Sequence, residues 1–228
     1  MSYRFPPPQT PAIAISGSDD LFPIRRIFCV GRNYEAHAKE MGVAVDREAP
    51  FYFTKSATAF VASGSRVAYP PETSNYHYEM ELVVAIGGPA YRIPAEQAES
   101  VIFGYACGLD MTRRDLQLKA REQKRPWDTG KDFEESAVIA PIVPASMTGY
   151  PVSGTIELRV NGAVKQSSDL GLLIHPVAAL VADLSKYYHL EAGDIIFTGT
   201  PEGVGPVVAG DRIEGSIESV GTISLDIL

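Results

Sequence analysis

Glu79 and Glu81 lie two residues apart in the run Asn75-Tyr76-His77-Tyr78-Glu79-Met80-Glu81-Leu82-Val83-Val84-Ala85-Ile86. The run reads as one long strand stopped by Gly87-Gly88-Pro89, and a period of two sends both carboxylates to one face, about 6–7 Å apart. On an exposed edge strand such a pair is a solvated face. The aromatic and aliphatic neighbours instead suggest a strand buried on both sides. There, two carboxylates repel unless a cation, a base or protons compensate them. Asp110 ends the apolar run Tyr105-Ala106-Cys107-Gly108-Leu109 and precedes a helix-like segment. Alone it reads as an N-cap ahead of a ligand. With Glu79 and Glu81 it would complete three oxygen ligands of Mg²⁺ or Mn²⁺, leaving positions open for water and a chelating substrate. Cys29 and Cys107 sit in separate apolar runs and form no ligand set for zinc.

His37 and Glu40, three apart on a short helix, share a face. They are either an exposed helix-face pair or a base whose imidazole a carboxylate orients toward water. The preceding Gly31-Arg32-Asn33 turn and the polar segment from Asp46 to Pro50 give this helix the setting of a lid. Lys55 and Lys131 are either surface lysines or site residues. The loop Thr198-Gly199-Thr200-Pro201-Glu202-Gly203-Val204-Gly205 offers amides and a hydroxyl that suit a carboxylate, since glycine lets the backbone approach closely.

These residues need elements to hold them. Ile24 to Val30 and Phe51 to Lys55 read as strands around a helix from Tyr34 to Met41. Pro94 to Gly104 and Met111 to Lys124 read as helices, the second a surface helix closed by Pro126, with a short strand from Tyr105 to Leu109 between them. Thr155 to Val160 and Ala163 to Ser167 read as a hairpin through Asn161-Gly162, the dipeptide of a type I′ turn. A helix follows from His175-Pro176 to about Tyr188, then strands from Asp194 to Thr198, Arg212 to Val220 and Thr222 to Ile227. Strands outnumber helices without alternating with them, which predicts an α+β, β-rich fold with helices outside rather than a doubly wound sheet.

The 228 residues carry a formal charge of −8, which argues against a nucleic-acid binder, and 45% hydrophobic content is enough for a real core. Gly and Pro are frequent, so elements should be short. We expect an N-terminal arm over residues 1–23 and one catalytic domain over 24–228. No apolar stretch is long enough for a membrane helix, and the expectation is a reduced, soluble, cytoplasmic protein that binds neither membrane nor nucleic acid.

Four segments occurring together resemble the fumarylacetoacetate hydrolase family: Cys29-Val30-Gly31-Arg32-Asn33-Tyr34, Glu79-Met80-Glu81, Gly108-Leu109-Asp110-Met111-Thr112-Arg113-Arg114-Asp115-Leu116-Gln117 and Thr198 to Gly205. The resemblance covers roughly residues 24 to 228 and fits the short, single-domain branch of acylpyruvases and fumarylpyruvate hydrolases. It implies a β-sandwich-like roll, usually a homodimer, and a divalent metal held by Glu79, Glu81 and Asp110. It also implies a water-activating His37–Glu40 dyad on a lid, and a substrate pocket lined by Arg114, Gln117, Lys131 and Thr200, with Gly199 beside it and Lys55 nearby. Lys131 and Gln117 are the candidates for stabilising an oxyanion. The implied reaction is hydrolysis of a 2,4-diketo acid, with fumarylpyruvate of gentisate breakdown as the preferred substrate. Oxaloacetate decarboxylation and 2-oxo diacid isomerisation are the alternatives on this scaffold, and a non-catalytic metal-binding domain is a further one. A diacid substrate needs a cation at its far end, for which Arg25, Arg26 and Arg32 are the candidates.

Overall fold

The strand Met80–Ile86 is buried at all seven positions and forms the spine of the structure, a computed structural model describing residues 2–40, 42 and 47–228. Its unbroken apolar run follows from having a core on each face: Leu82 and Val84 join one cluster, Val83 and Ala85 the other. It pairs antiparallel with Ile102–Asp110 on one side and Asp194–Phe197 on the other. Arg26–Val30 and Tyr52–Lys55 extend this sheet past Asp194–Phe197. Ala137–Ile139, Phe60–Ala62 and Val143–Pro144 complete it on the far side to eight strands.

A five-stranded sheet covers the Leu82 face, in the order Ala163–Asp169, Thr155–Val160, Arg212–Ile217, Gly221–Ile227, Ser65–Val67. Its Ile156, Leu158, Ile213 and Leu225 pack with Leu82, Val84, Tyr105 and Leu109. Two sheets thus face each other, and the helices Arg114–Glu122 and Val177–Tyr187 pack outside them, which is the β-rich α+β roll expected. Among residues 1–23, positions 2–10 are exposed, while Ala12–Ala14 and Leu21–Pro23 form a hairpin that buries Ile13 and Phe22 against the other face of the large sheet.

Three expected elements differ. Asn75 to Ile86 is two strands, since Tyr76–Tyr78 leaves the large sheet to join Thr112–Arg113 and Gly205–Val207, and the break falls at Glu79. The expected helix from Pro94 is a 3-10 segment, Ala95–Val101, because the strand formers Ile102-Phe103 already belong to the nine-residue strand Ile102–Asp110. The expected helix from Met111 starts only at Arg114, after Thr112 and Arg113 have paired with His77 and Tyr76. Asp110 is therefore the last residue of a strand and not a helix cap.

The Asn161-Gly162 turn has φ of 50° and 79°, the left-handed pair a type I′ turn requires. The helix expected as a lid spans Glu35–Glu40 and closes at Gly42, φ 66°, whose amide bonds the Lys39 carbonyl. Met41, expected at its end, and Asp46, expected in the following linker, lie outside the described residues.

Candidate metal centre and active site

Strand register brings the three acids together. Met80 is opposite Leu109 and Glu81 opposite Gly108, and the pairing continues through a bond from the Asp110 amide to the Glu79 carbonyl, 2.9 Å. Glu79, Glu81 and Asp110 therefore share one face despite the strand break. Carboxylate oxygens of the three lie within 4.8 Å of one another, and all three residues are buried. Gly108 keeps that face open: a Cβ there would stand 2.4 Å from Val83 Cγ2.

Three cations compensate this charge. Lys131, from the short helix Asp128–Lys131, places Nζ 2.7 Å from both Glu79 Oε2 and Asp110 Oδ2. Arg114 donates to Glu79 Oε1 and to Gln117 Oε1. Lys55 Nζ is 3.0 Å from Asp110 Oδ1 but outside hydrogen-bonding geometry, so that buried oxygen has no hydrogen-bond partner. Burial opposes the charge of Glu79, but Lys131 and Arg114 outweigh it and hold this carboxyl below its ordinary range. Burial, then Asp110 and Glu79, push Glu81 well above that range. Lys131 is likewise penalised by burial, yet Asp110 and Glu79 raise its pKa. A buried site with three carboxylates, one driven toward its protonated form and another with an unsatisfied oxygen, fits a hard divalent cation with oxygen ligands.

Facing this centre is the imidazole of His37, which is 4% exposed and lines one cavity together with Glu79, Arg114, Gln117 and Lys131. Its Nδ1 is 3.1 Å from Glu40 Oε2. The start of the helix Glu35–Glu40 is anchored by Asn33, a buried side chain that donates to the carbonyls of His175 and Thr198, both at 2.9 Å, and accepts from the His175 amide at 2.7 Å. The loop from Thr198 to Gly205 joins the two halves of the site: the Gly199 amide bonds Glu81 Oε2 at 2.6 Å, and the Gly203 amide reaches both Glu40 oxygens at 3.2 Å. Gly199 has φ 98°, and a Cβ there would meet Asn33 Cβ at 2.7 Å.

Other expected residues are placed differently from one another. Arg32 lines the cavity, with its guanidinium 4.7 Å above the Phe51 ring. Thr200, expected with Gly199 at the pocket, is buried within the loop, its Oγ1 accepting from Gln166 at 2.9 Å, and neither residue is among those lining that cavity. Lys55 lies in the wall behind the carboxylates, bonded to Ser136 Oγ at 2.9 Å and to the Met111 carbonyl at 3.2 Å. Arg25 and Arg26 are not at the site. Both pair with the buried Asp194, Arg26 through bonds of 2.9 and 2.6 Å, so neither serves as a distal clamp.

The sequence reading missed Leu118, Arg121 and Trp127, which also line the cavity. The spacing of 114, 117, 118 and 121 on one helix could have found the first two. It also missed His77, whose Nε2 is 2.8 Å from Asn75 Oδ1 and whose Nδ1 faces Arg114 Nε at 3.4 Å.

This fold and this site define a metal-centred enzyme of the fumarylacetoacetate hydrolase type, and the comparisons agree. Residues 26–227 match the family model described as fumarylacetoacetate (FAA) hydrolase C-terminal, and the chain belongs to that family. It is 60% identical over 190 residues to a fumarylpyruvate hydrolase of a Ralstonia species, covering 82% of this chain and 98% of the relative. It is 39% identical to an oxaloacetate tautomerase of Escherichia coli, over 84% of this chain and 88% of the relative. Among solved structures, a fumarylpyruvate hydrolase from Pseudomonas aeruginosa in complex with Mn²⁺ and pyruvate superposes with a TM-score of 0.97 at 51% identity. That alignment covers 100% of this chain and 99% of the other.

Proposed function

We propose that this chain hydrolyses the carbon–carbon bond of a 2,4-diketo acid, converting fumarylpyruvate to fumarate and pyruvate in bacterial gentisate catabolism. The observation that carries the reading is geometric: Glu79, from the buried carboxylate triad, and His37, paired with Glu40, line one cavity. The Ralstonia relative's name supports the substrate, and the Pseudomonas neighbour binds Mn²⁺ with pyruvate, one of the two expected products.

Glu79, Glu81 and Asp110 would hold Mg²⁺ or Mn²⁺, which supplies Lewis acidity for the negative charge leaving the broken bond. With Nδ1 engaged by Glu40, His37 keeps Nε2 to take a proton from water as the water oxygen adds to the carbonyl distal to the α-keto acid. Lys131 and Gln117 line the same cavity and stabilise the oxyanion formed there. As that carbonyl re-forms, the bond to the pyruvate methylene breaks. The released electron pair takes up a proton, giving pyruvate beside the second acid.

Arg32 and Arg121 line the same cavity and add two further positive charges to it. They suit the far carboxylate of a diacid. Gly199 and Thr200 belong to the loop that holds Glu81 and act through it. The reading includes a homodimer, an expectation taken from the family, and a cytoplasmic location, an expectation taken from the sequence. No helix among the described residues is long and apolar enough to cross a membrane.

The test is a purified-protein assay of fumarylpyruvate, acetylpyruvate and oxaloacetate with Mn²⁺, with Mg²⁺ and with chelator. Two acids formed at the expense of water support hydrolysis. The tautomerase relative makes a second reading concrete: turnover of oxaloacetate at unchanged mass, without diketo acid cleavage, replaces the first.

A further inference from the structure

Past the Val83–Phe197 pair, the strand Asp194–Phe197 ends, and the Thr198 amide makes the last ladder bond, to the Leu82 carbonyl at 3.0 Å. In a continuing ladder, the next residue of Met80–Ile86 to turn its amide to that side is Met80. Met80 lies between two of the three acids, and this amide belongs to the Glu79–Met80 peptide. It bonds instead to a side chain from the other sheet, Gln166 Oε1, at 3.0 Å.

The amide nitrogen of the same side chain donates to Thr200 Oγ1 at 2.9 Å and to the Pro201 carbonyl at 2.8 Å, within the loop that holds Glu81 and Glu40. Gln166 is 1% exposed, and these bonds use the acceptor and both donor hydrogens of its amide. A β-bulge aims it. Leu158 pairs with Gln166 and Arg159 with Val164, which leaves Lys165 unpaired, so Val164 and Lys165 are both exposed before Gln166 turns inward. The loop packs on that bulge: Gly203, φ 90°, lies so close that a Cβ would stand 2.1 Å from the Lys165 carbonyl oxygen.

We propose that Gln166 is a positioning residue that couples the two halves of the site, fixing the Glu79–Met80 peptide and the loop 199–203 relative to each other so that Glu81 and Glu40 keep their geometry. The proposal rests on the functional reading above for the roles of Glu81 and Glu40. Groups that orient ligands from behind are typically worth about 10–100-fold in metal affinity or activity.

The test compares Gln166→Met, which keeps the shape and removes every bond, with Gln166→Glu, which keeps the acceptor for Met80 and loses the donors. A core substitution elsewhere in the same sheet, Ile213→Val, supplies the reference for simple destabilisation. Mn²⁺ affinity is titrated, kcat and KM are measured at saturating Mn²⁺, and amide exchange is followed over residues 79–82 and 199–205. Gln166→Met is expected to weaken Mn²⁺ binding and lower kcat, each by about tenfold or more, with KM little changed. Gln166→Glu should retain Mn²⁺ affinity better than kcat, and this variant decides the matter if Gln166→Met does not fold.

Wild-type metal affinity and kcat in both glutamine variants, or equal losses in Ile213→Val, overturn the proposal. If the wild type neither binds Mn²⁺ nor cleaves diketo acids, the functional reading fails on its own. Exchange then judges the brace: lost protection at both segments in Gln166→Met supports it, and unchanged protection overturns it.

Discussion

His37 Nδ1 lies 3.1 Å from Glu40 Oε2, and the same carboxylate takes the Gly203 amide at 3.2 Å. One anion thus fixes the ring tautomer and is itself fixed by the loop that also bonds Glu81. A base oriented in this way contributes about 10²–10⁴-fold. His37→Ala should lose that much of kcat with Mn²⁺ affinity largely intact, and Glu40→Gln should lose less because it still accepts from Nδ1. Steady-state kinetics beside a Mn²⁺ titration checks both. A His37→Ala protein that cleaves at the wild-type rate removes the dyad from the mechanism.

Metal uptake should release protons. Burial, with Asp110 and Glu79 nearby, raises the Glu81 pKa, so without an ion this carboxyl favours its protonated form, and an incoming divalent cation displaces the proton. The sign follows: affinity for Mn²⁺ strengthens as pH rises toward and through the raised value, and weakens as it falls. Calorimetric titrations in buffers of different ionisation enthalpy should give an uptake of protons by the buffer, smaller in Glu81→Gln. Activity should vanish in EDTA and return with added Mn²⁺. Turnover at full rate after stripping contradicts the metal assignment.

How much of this could be read from the residues depends on which interaction decides the geometry. The period-two placement of Glu79 and Glu81 held even though the strand breaks at Glu79, because the Asp110–Glu79 backbone bond continues the pairing. The His37–Glu40 pair was legible because a three-residue spacing on one helix sets both directions, whereas Asp110 joins the two glutamates only through the pairing of Ile102–Asp110 with Met80–Ile86, which no local spacing records. Arg25 and Arg26 were misplaced because their partner, Asp194, is nearly 170 residues away, and only parallel pairing with Asp194–Phe197 brings it alongside. Gln166 gave no local signal. Its role depends on a bulge and on contacts across two sheets, which no periodicity in one strand records.

Discrimination between diacids and monoacids should reside at Arg121 and Arg32. Both line the cavity that holds Glu79 and His37, and Arg121 is one turn beyond Gln117 on the same helix face. A charged hydrogen bond contributes about 1.5–3 kcal/mol. Arg121→Ala combined with Arg32→Ala should therefore reduce kcat/KM for fumarylpyruvate by at least about tenfold. Acetylpyruvate, which lacks the far carboxylate, should change little, and the single variants divide the effect. If the ratio of the two activities stays constant, the far carboxylate is bound elsewhere.

The two cysteines should be silent in the folded protein. Cys29 and Cys107 are 0% and 1% exposed, and burial raises both thiols, Cys107 from 9.0 to about 12. A thiol reagent at pH 8 should find neither in the native state and two per chain after unfolding. The same shifts fix the direction of alkaline instability. Between the unfolded-state thiol value near 9.0 and the folded value near 12, the unfolded chain has lost protons that the folded chain keeps. Stability is therefore fully present below about pH 8.5 and declines as pH rises through that window. Melting temperatures measured from pH 8 to 11 should fall less steeply for Cys107→Ala than for the wild type. Parallel curves for the two proteins would show that Cys107 does not contribute to the decline.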